Sequence, residues 1–212
     1  SDRGLCGAFN SNIIKEVRRI VNLKYSKDVK IEVMFLGKKA YEYYRKTDMD
    51  MNTSEMDIFN RLGADEVFAI GDNVISKFMS GQYDEVCVLY NKFKNAATQI
   101  TTTQKLLPVD LKSFKAEENK KEGNFLSDFT FEPGKAEILY NLIPQAVKTQ
   151  LYRSLLDSQA SEHGARMVAM DSATENAGEL LNDLKLQYNQ ARQAAITKEI
   201  LEIVGGAAAL EG

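Results

Sequence analysis

The feature that most constrains this chain is a long stretch without proline at its C-terminal end, from Ser158 to Leu210. Along it, small or apolar residues recur at steps of three and four, the spacing of one apolar seam on a helix. The seam comprises Met170, Ala173, Ala177, Leu180, Leu184, Tyr188, Ala191 and Ala195, thickened by Ile196, Ile200, Ile203 and Val204. At about 1.5 Å per residue this helix runs roughly 80 Å, whereas a domain of the remaining ~155 residues has a radius of gyration of about 15 Å. We therefore expect most of the helix to project from that domain and to pair with something outside it.

Composition excludes several classes of function. The chain has 212 residues, 44% of them hydrophobic, and a net charge of −3, which gives no basis for nucleic-acid binding. From Asp157 to Gly212, nine acidic residues stand against four Lys or Arg. The acidic charge either guides the helix into a ring-shaped basic partner or, more simply, lies on a helix face that is solvated. The sequence contains neither an apolar run long enough to span a membrane nor a signal peptide.

The cysteines and the single histidine do not form a recognisable site. Cys6 and Cys87 lie among small or apolar residues and are predicted to be buried and reduced. His163 stands at no spacing from either that is typical of a metal site. We expect no disulfide and no bound metal.

The rest of the chain alternates helical and strand-like segments. Helices are predicted for Ile13–Tyr25, Lys38–Arg45, Ala64–Gly81 and Gly134–Asn141, and strands for the opening residues, Val29–Leu36, Glu85–Tyr90 and Thr98–Leu107. The Thr-rich last strand should return antiparallel to the strand before it, while Thr47–Ser54 reads as a loop. Pro144 fits the first turn of a new helix, whose stripe contains Val147, Leu151, Tyr152, Leu155 and Leu156. These elements predict a small Rossmann-like α/β domain with parallel strands, residues 1–142, followed by the shaft helix, residues 143–212.

No motif in the sequence carries a catalytic mechanism. Gly4 and Gly7 form GxxG rather than the three-glycine dinucleotide fingerprint, and no phosphate-binding GxxxxGK[ST] occurs. Glycines at a tight strand end or under close helix packing explain the pair more simply. Neighbouring carboxylates such as Asp65 and Glu66 lack a partner that would separate their pKa values. We therefore predict no catalytic, cofactor-binding or metal-binding residue.

Glycines inside the long helix need a separate explanation, because each costs about 1 kcal/mol relative to alanine in a helix interior. They are Gly164, Gly178, Gly205 and Gly206. Gly178 lies beside the seam, so it either lets another helix approach closely or occupies a neutral, solvated position. The end of the helix, Gly205–Leu210, has small apolar side chains and is either frayed or enclosed by a narrow apolar surface of a partner.

Several segments together resemble a known family. In the long helix they are Ala165–Met170, Ala173–Ala177, Tyr188–Ile200 and Ile203–Ala209; outside it they are Ser1–Asn10 and Asp128–Pro133. The match runs from end to end, and it resembles the gamma subunit of F-type ATP synthases.

This resemblance implies a non-catalytic rotor subunit that binds no nucleotide. Two long helices of that family wind as an antiparallel coiled coil inside a ring of alpha and beta subunits. The α/β domain sits on the membrane rotor ring beside the epsilon subunit. Rotation of the shaft couples proton flow to ATP synthesis. The implied location is peripheral, on the cytoplasmic face of a bacterial inner membrane or on the mitochondrial matrix side.

The resemblance also implies roles for individual residues. Those expected to contact the beta subunits are Arg166, Arg192, Gln193, Thr197 and Glu199. Those expected to form the bearing tip are Ala207, Ala208, Ala209 and Leu210. Those expected at the foot, near the rotor ring, are Asp128, Phe129, Phe131 and Glu132.

Two other classes of function remain open beside the rotor: a nucleotide-binding α/β enzyme with a helical tail, and a coiled-coil scaffold unrelated to rotation. The family's N-terminal helix is missing from the sequence, so we expect a fragment whose bare seam self-associates with a second copy.

Overall fold

The computed structural model describes residues 1–24, 29–47, 49–109 and 131–210. The helices are α1 (Phe9–Arg19), α2 (Lys38–Tyr44), α3 (Ala64–Met79) and α4 (Lys135–Leu210). The strands are β1 (Glu32–Met34), β2 (Asp50–Asn52), β3 (Val86–Phe93) and β4 (Gln99–Leu107). A π-helical turn, Ile20–Lys24, follows α1, and a 3-10 turn, Ile58–Asn60, precedes α3. The predicted class, a small α/β domain with a long C-terminal helix, is confirmed.

The strands form two separate two-stranded sheets. β1 and β2 are parallel, with Val33 opposite Met51. β3 and β4 are antiparallel, with Tyr90 opposite Thr102, and their register shifts between Val86 and Cys87. The Thr-rich segment is therefore the antiparallel return that its composition predicted.

The apolar core lies where α3, β4 and the first part of α4 meet. It consists of Ile58, Val67, Ile70, Leu106, Leu107, Val147, Leu151 and Leu155. The three α4 members recur at steps of four, so one stripe of this helix is buried. Beside them Tyr152 meets the Phe68 ring edge-on, with ring centroids 6.3 Å apart. The predicted stripe is confirmed, although Leu156 is 41% exposed.

A single buried amide, that of Asn91, joins three elements to β3. Its side-chain nitrogen donates to the carbonyl oxygen of Phe9 over 3.2 Å, and its side-chain oxygen accepts from the Thr101 hydroxyl over 2.8 Å. Its backbone carbonyl accepts a third bond, from the Ser161 hydroxyl of α4, over 2.9 Å. Since a buried polar group left without a partner costs about 1–3 kcal/mol, this arrangement fixes α1, β4 and α4 in one position around β3.

Gly164 lies where α4 approaches the turn between β3 and β4. A Cβ at this position would come within 3.1 Å of the Ala96 Cα and 3.3 Å of the Phe93 ring. Glycine is thus required by close packing. At Gly178 a Cβ would meet nothing within 4 Å, so the structure shows no such requirement there.

The beginning of the chain departs from expectation. Residues 1–5 form no strand, and α1 begins at Phe9 rather than at Ile13. Asn10 lies in the first turn of this helix. Its side chain accepts from the Ser1 hydroxyl over 2.5 Å and donates to the Arg3 carbonyl over 3.4 Å. This amide therefore ties the opening segment to α1.

Two other element predictions were wrong. The predicted loop Thr47–Ser54 contains β2, because even three residues gain a parallel ladder beside β1. Pro144 does not start a helix but lies inside α4. Proline there removes one helical hydrogen bond, to the carbonyl of Tyr140. That turn is open to water, with Tyr140 80% exposed, and the next turns are anchored in the core by Val147, so the helix continues.

The chain divides into two compact units, Ser1–Val168 and Ala169–Gly212. In the second unit, residues 171–207 are all exposed, so this stretch has no core of its own. Among the helices that the structure describes, none combines the length and apolarity needed to cross a membrane.

Two of the glycines of α4, Gly164 and Gly178, should respond oppositely to replacement by alanine. Gly164→Ala should lower the free energy of unfolding by about 1–3 kcal/mol, because the added methyl overpacks the contact with Ala96. Gly178→Ala should stabilise its helical segment by about 1 kcal/mol, since it only raises helix propensity. Thermal denaturation followed by circular dichroism measures both. A Gly164→Ala variant as stable as the parent chain would show that α4 does not pack closely here.

Candidate functional site

Four of the predicted beta-contact residues are exposed on the second unit, and these four are here called the polar patch: Arg192, Gln193, Thr197 and Glu199. Gln193 and Thr197 are four residues apart and are neighbours on the helix surface. The Thr197 hydroxyl donates to the carbonyl oxygen of Gln193 over 2.9 Å. The Thr197 hydroxyl oxygen can still accept a hydrogen bond, and the side-chain amide of Gln193 can both donate and accept one. The pair can therefore exchange hydrogen bonds with a polar partner surface.

Arg166, the fifth predicted contact, is placed differently. Its Nη2 lies 2.6 Å from the Glu162 Oε1, and its Nε donates to the Gly4 carbonyl oxygen over 3.3 Å. The side chains of Arg166 and Glu162 are only 15% and 10% exposed. The guanidinium thus ties α4 to the opening segment within the first unit, and a partner could reach only its small exposed part.

The pair between Arg166 and Glu162 is a structural contact that the sequence did not predict. A glutamate four residues before an arginine is the favourable spacing for a helix ion pair, so the signal was present. What the sequence could not give is the burial of the pair against residues far away in the chain.

The same pair shapes the surroundings of Cys6. The Cys6 side chain is 2% exposed, and burial, followed by the nearby charge of Glu162, raises the pKa of its thiol. The thiol is therefore neutral at pH 7, and the predicted burial of Cys6 is confirmed. The predicted burial of Cys87 was wrong: it is exposed on β3, next to the register shift, where its Sγ donates to the Glu85 Oε1 over 3.1 Å.

The other predicted sites are only partly described. Asp128 and Phe129 lie outside the described residues. Phe131 and Glu132 are exposed, and the Lys135 Nζ lies 4.7 Å from the centre of the Phe131 ring. Ala207 is exposed in α4, whose backbone continues to Leu210. The side chains of Ala208, Ala209 and Leu210 lie outside the described part.

The geometry gives little support to a nucleotide site. Gly7 has a φ of 55° and shapes the turn before α1, so a tight turn explains it. An open groove of about 620 Å³ lies between α1 and α2, lined by Lys15, Arg18, Lys39 and Tyr43 among others. Within it Arg18 donates to the Tyr43 hydroxyl, and Lys39 pairs with Glu42 over 2.7 Å. Over the described ranges, no group of His, Cys, Asp or Glu side chains is arranged to hold a metal ion.

Breaking the buried ion pair should destabilise the first unit. Arg166→Met leaves Glu162 buried without its counter-charge and should lower the free energy of unfolding by about 3 kcal/mol at neutral pH. Urea unfolding measures the loss. The double variant Glu162→Gln/Arg166→Met is the control and should recover most of the loss; equal loss in both would contradict a charge effect.

Comparison with known proteins gives a consistent family. A family model described as ATP synthase matches residues 1–210. The ATP synthase gamma chain of Flavobacterium johnsoniae is 52% identical over 212 residues, covering 100% of this chain and 71% of that protein. The gamma chain of Flavobacterium psychrophilum is 50% identical with the same coverage.

Solved structures show the same fold. A chain from the cryo-EM structure of the Euglena gracilis mitochondrial ATP synthase has a TM-score of 0.65 at 21% identity, covering 99% of this chain and 70% of its own length. A chain from the central stalk and c-ring of the Tetrahymena thermophila mitochondrial ATP synthase has a TM-score of 0.55 at 27% identity, covering 82% and 73%. This chain, with its small α/β unit and its long helix, therefore belongs to the family of the ATP synthase gamma chains.

Proposed function

We propose that this chain is the central-stalk rotor subunit of an ATP synthase. In this role it transmits torque between the membrane rotor ring and the alpha/beta catalytic ring and couples proton flow to ATP synthesis. It takes no part in the chemistry, which belongs to the ring.

One observation carries the proposal most directly: every residue from 171 to 207 is exposed on a continuous helix. Leu180, Leu184 and Tyr188 are between 52% and 67% exposed, although burying such side chains is worth about 1.5–3 kcal/mol each. A helix of this kind is stabilised when other protein surfaces cover it. Two ATP synthase gamma chains are about half identical to this chain over its whole length. This similarity supports a catalytic ring as the surface that covers the helix.

Torque transmission requires that the helix be firmly held at one end. Val147, Leu151 and Leu155 bury one stripe of α4 in the core of the first unit. Ser161 is 0% exposed and bonds to β3, and Arg166 bonds to the opening segment. These contacts oppose rotation of the helix within its unit. We infer that the load passes from this anchored segment, along the backbone of α4, to the polar patch.

The remaining assignments follow the same proposal. Residues 1–142 form the foot and residues 143–212 the shaft. The foot residues Asp128, Phe129, Phe131 and Glu132 face the rotor ring beside the epsilon subunit. The tip, Ala207 to Leu210, turns in its bearing, and Arg166 adds a beta contact through its exposed part. The complex is peripheral to the membrane, on the cytoplasmic face of a bacterial inner membrane.

The polar patch gives the sharpest test of this function. Gln193→Ala/Thr197→Ala should weaken the assembly of this chain with alpha and beta subunits about thirtyfold, if two hydrogen bonds of about 1 kcal/mol each are lost. ATP hydrolysis by the reconstituted complex should fall in parallel. The melting temperature of the isolated chain should stay unchanged, because the side-chain bond that is lost lies within one exposed turn.

The matched control replaces two other exposed amides of the same helix, Asn182→Ala/Gln187→Ala. These lie outside the segments that resemble the gamma family, so assembly and turnover should be preserved. If both double variants behave alike, or if the patch variant lowers the melting temperature strongly, the patch does not contact the ring.

A further inference from the structure

A small pocket, here called the strand-end pocket, lies at the carboxyl ends of the two parallel strands. Met34 ends β1 and Asn52 ends β2; the two are opposite each other in the ladder, and both line the pocket. Helix α3 contributes Ile70, Asn73 and Lys77 to the lining. Parallel α/β sheets bind ligands outside the carboxyl ends of their strands. The volume of about 230 Å³ is below the ~300–1,000 Å³ of pockets for drug-sized molecules, so only a small ligand fits.

Two side chains of opposite charge line this pocket without an ion-pair partner. Glu55 follows β2 and Lys77 lies on α3, and both residues are half-buried. Within the part of the chain that the structure describes, neither side chain forms an ion pair. Withdrawing a charge from water without a counter-charge is unfavourable. A ligand that carries one charge of each sign would compensate both side chains at once.

A chain of hydrogen bonds connects the elements that form the pocket. The Tyr83 hydroxyl, which follows α3, donates to the Glu32 Oε2 of β1 over 2.6 Å, and the Asn52 side-chain nitrogen donates to the Glu32 Oε1 over 3.2 Å. The Asn52 side-chain oxygen accepts from the backbone N–H of Ser54 over 3.1 Å. The hydrogen bond to Glu32 raises the pKa of Tyr83 to about 12, so this hydroxyl stays protonated at neutral pH. These bonds hold the segment after β2 and the end of α3 in place before a ligand enters.

The same contacts position Lys77 while leaving its donors available. The Lys77 Nζ lies 5.8 Å from the centre of the Tyr83 ring. The hydrogen bond from Tyr83 is the main cause that lowers the pKa of the Glu32 carboxyl, and the charge of Lys77 adds to this effect. Both Glu32 oxygens already accept bonds, from Tyr83 and Asn52. The three N–H groups of the Lys77 ammonium can therefore donate to an anionic group in the pocket.

The lining specifies the chemistry of the ligand. The Lys77 ammonium suits a carboxylate, the Glu55 carboxylate suits an ammonium group, and the exposed amide of Asn73 can donate to or accept from either. Met34 and Ile70 add apolar surface that an apolar side chain can contact. A purely anionic ligand would leave Glu55 uncompensated, and a purely cationic one would leave Lys77 so. A free α-amino acid with a small apolar side chain satisfies the whole lining.

We propose that the strand-end pocket binds a small zwitterion, a free α-amino acid with an apolar side chain, whose carboxylate binds Lys77 and whose ammonium group binds Glu55. All residues of the pocket belong to the first unit. Binding at this site does not depend on the proposed rotor function, so each can fail without the other.

Titration of the full chain, followed by nuclear magnetic resonance, tests the ligand class. The probes are L-valine, isobutylamine, which lacks its carboxylate, and isovalerate, which lacks its ammonium group. L-valine should bind with a dissociation constant of about 1 mM or tighter and shift the backbone amide signals of Asn52, Ser54 and Asn73. Each analogue should bind about tenfold more weakly, because it loses one charged contact. The absence of shifts at about 20 mM L-valine, or equal affinity for all three probes, would overturn the proposal.

Charge variants test the two assigned contacts separately. Lys77→Met should weaken L-valine binding about tenfold but leave isobutylamine binding unchanged, since that probe has no carboxylate. Glu55→Gln should weaken L-valine binding equally but leave isovalerate binding unchanged. The matched controls, Lys94→Met and Glu137→Gln, remove exposed charges outside the pocket and should change nothing.

A variant that fills the pocket gives an independent test, should a charge variant fail to fold. Asn73 is exposed and lines the pocket, so Asn73→Phe should abolish L-valine binding while the melting temperature stays unchanged. Full binding by Asn73→Phe, or control variants that weaken L-valine binding as much as Lys77→Met and Glu55→Gln, would overturn the proposal.

Discussion

The buried amide of Asn91 is the contact on which the first unit depends. The side chain of Asn91 donates to the Phe9 carbonyl and accepts from the Thr101 hydroxyl, and its backbone carbonyl accepts from the Ser161 hydroxyl. Because Ser161 belongs to α4, this network and the apolar stripe from Val147 to Leu155 hold the same helix by different forces. Hydrophobic burial supplies most of the stabilisation, while the hydrogen bonds specify where along β3 the helix must lie.

One spacing of apolar residues serves two purposes in α4. In its first part, Val147, Leu151 and Leu155 are buried in the core. In the second unit, Leu180 and Leu184 have the same kind of spacing and are 60% and 52% exposed. Periodicity indicates an apolar face but not what covers it. The buried face explains how the helix is anchored, and the exposed face explains why its function is sought in contacts with other chains.

The sequence predicted what depends on local pattern and missed what depends on distant contacts. The helix periodicity, the β3–β4 hairpin and the stripe through Leu151 follow from spacing and composition. Pro144 was misread because its cost falls on one exposed turn while the core supports the next. The buried environment of Arg166 could not be inferred, since Gly4 lies far away in the chain. The residues of the polar patch came from family resemblance, as exposed polar side chains on a helix have no distinguishing pattern.

Cryo-electron microscopy of alpha and beta subunits reconstituted with this chain tests the central claim most directly. If this chain is the central stalk, the helix of the second unit lies in the central channel of the ring, with Gln193 and Thr197 within hydrogen-bond distance of a beta subunit. An empty channel, or a chain bound to the outside of the ring, would contradict it.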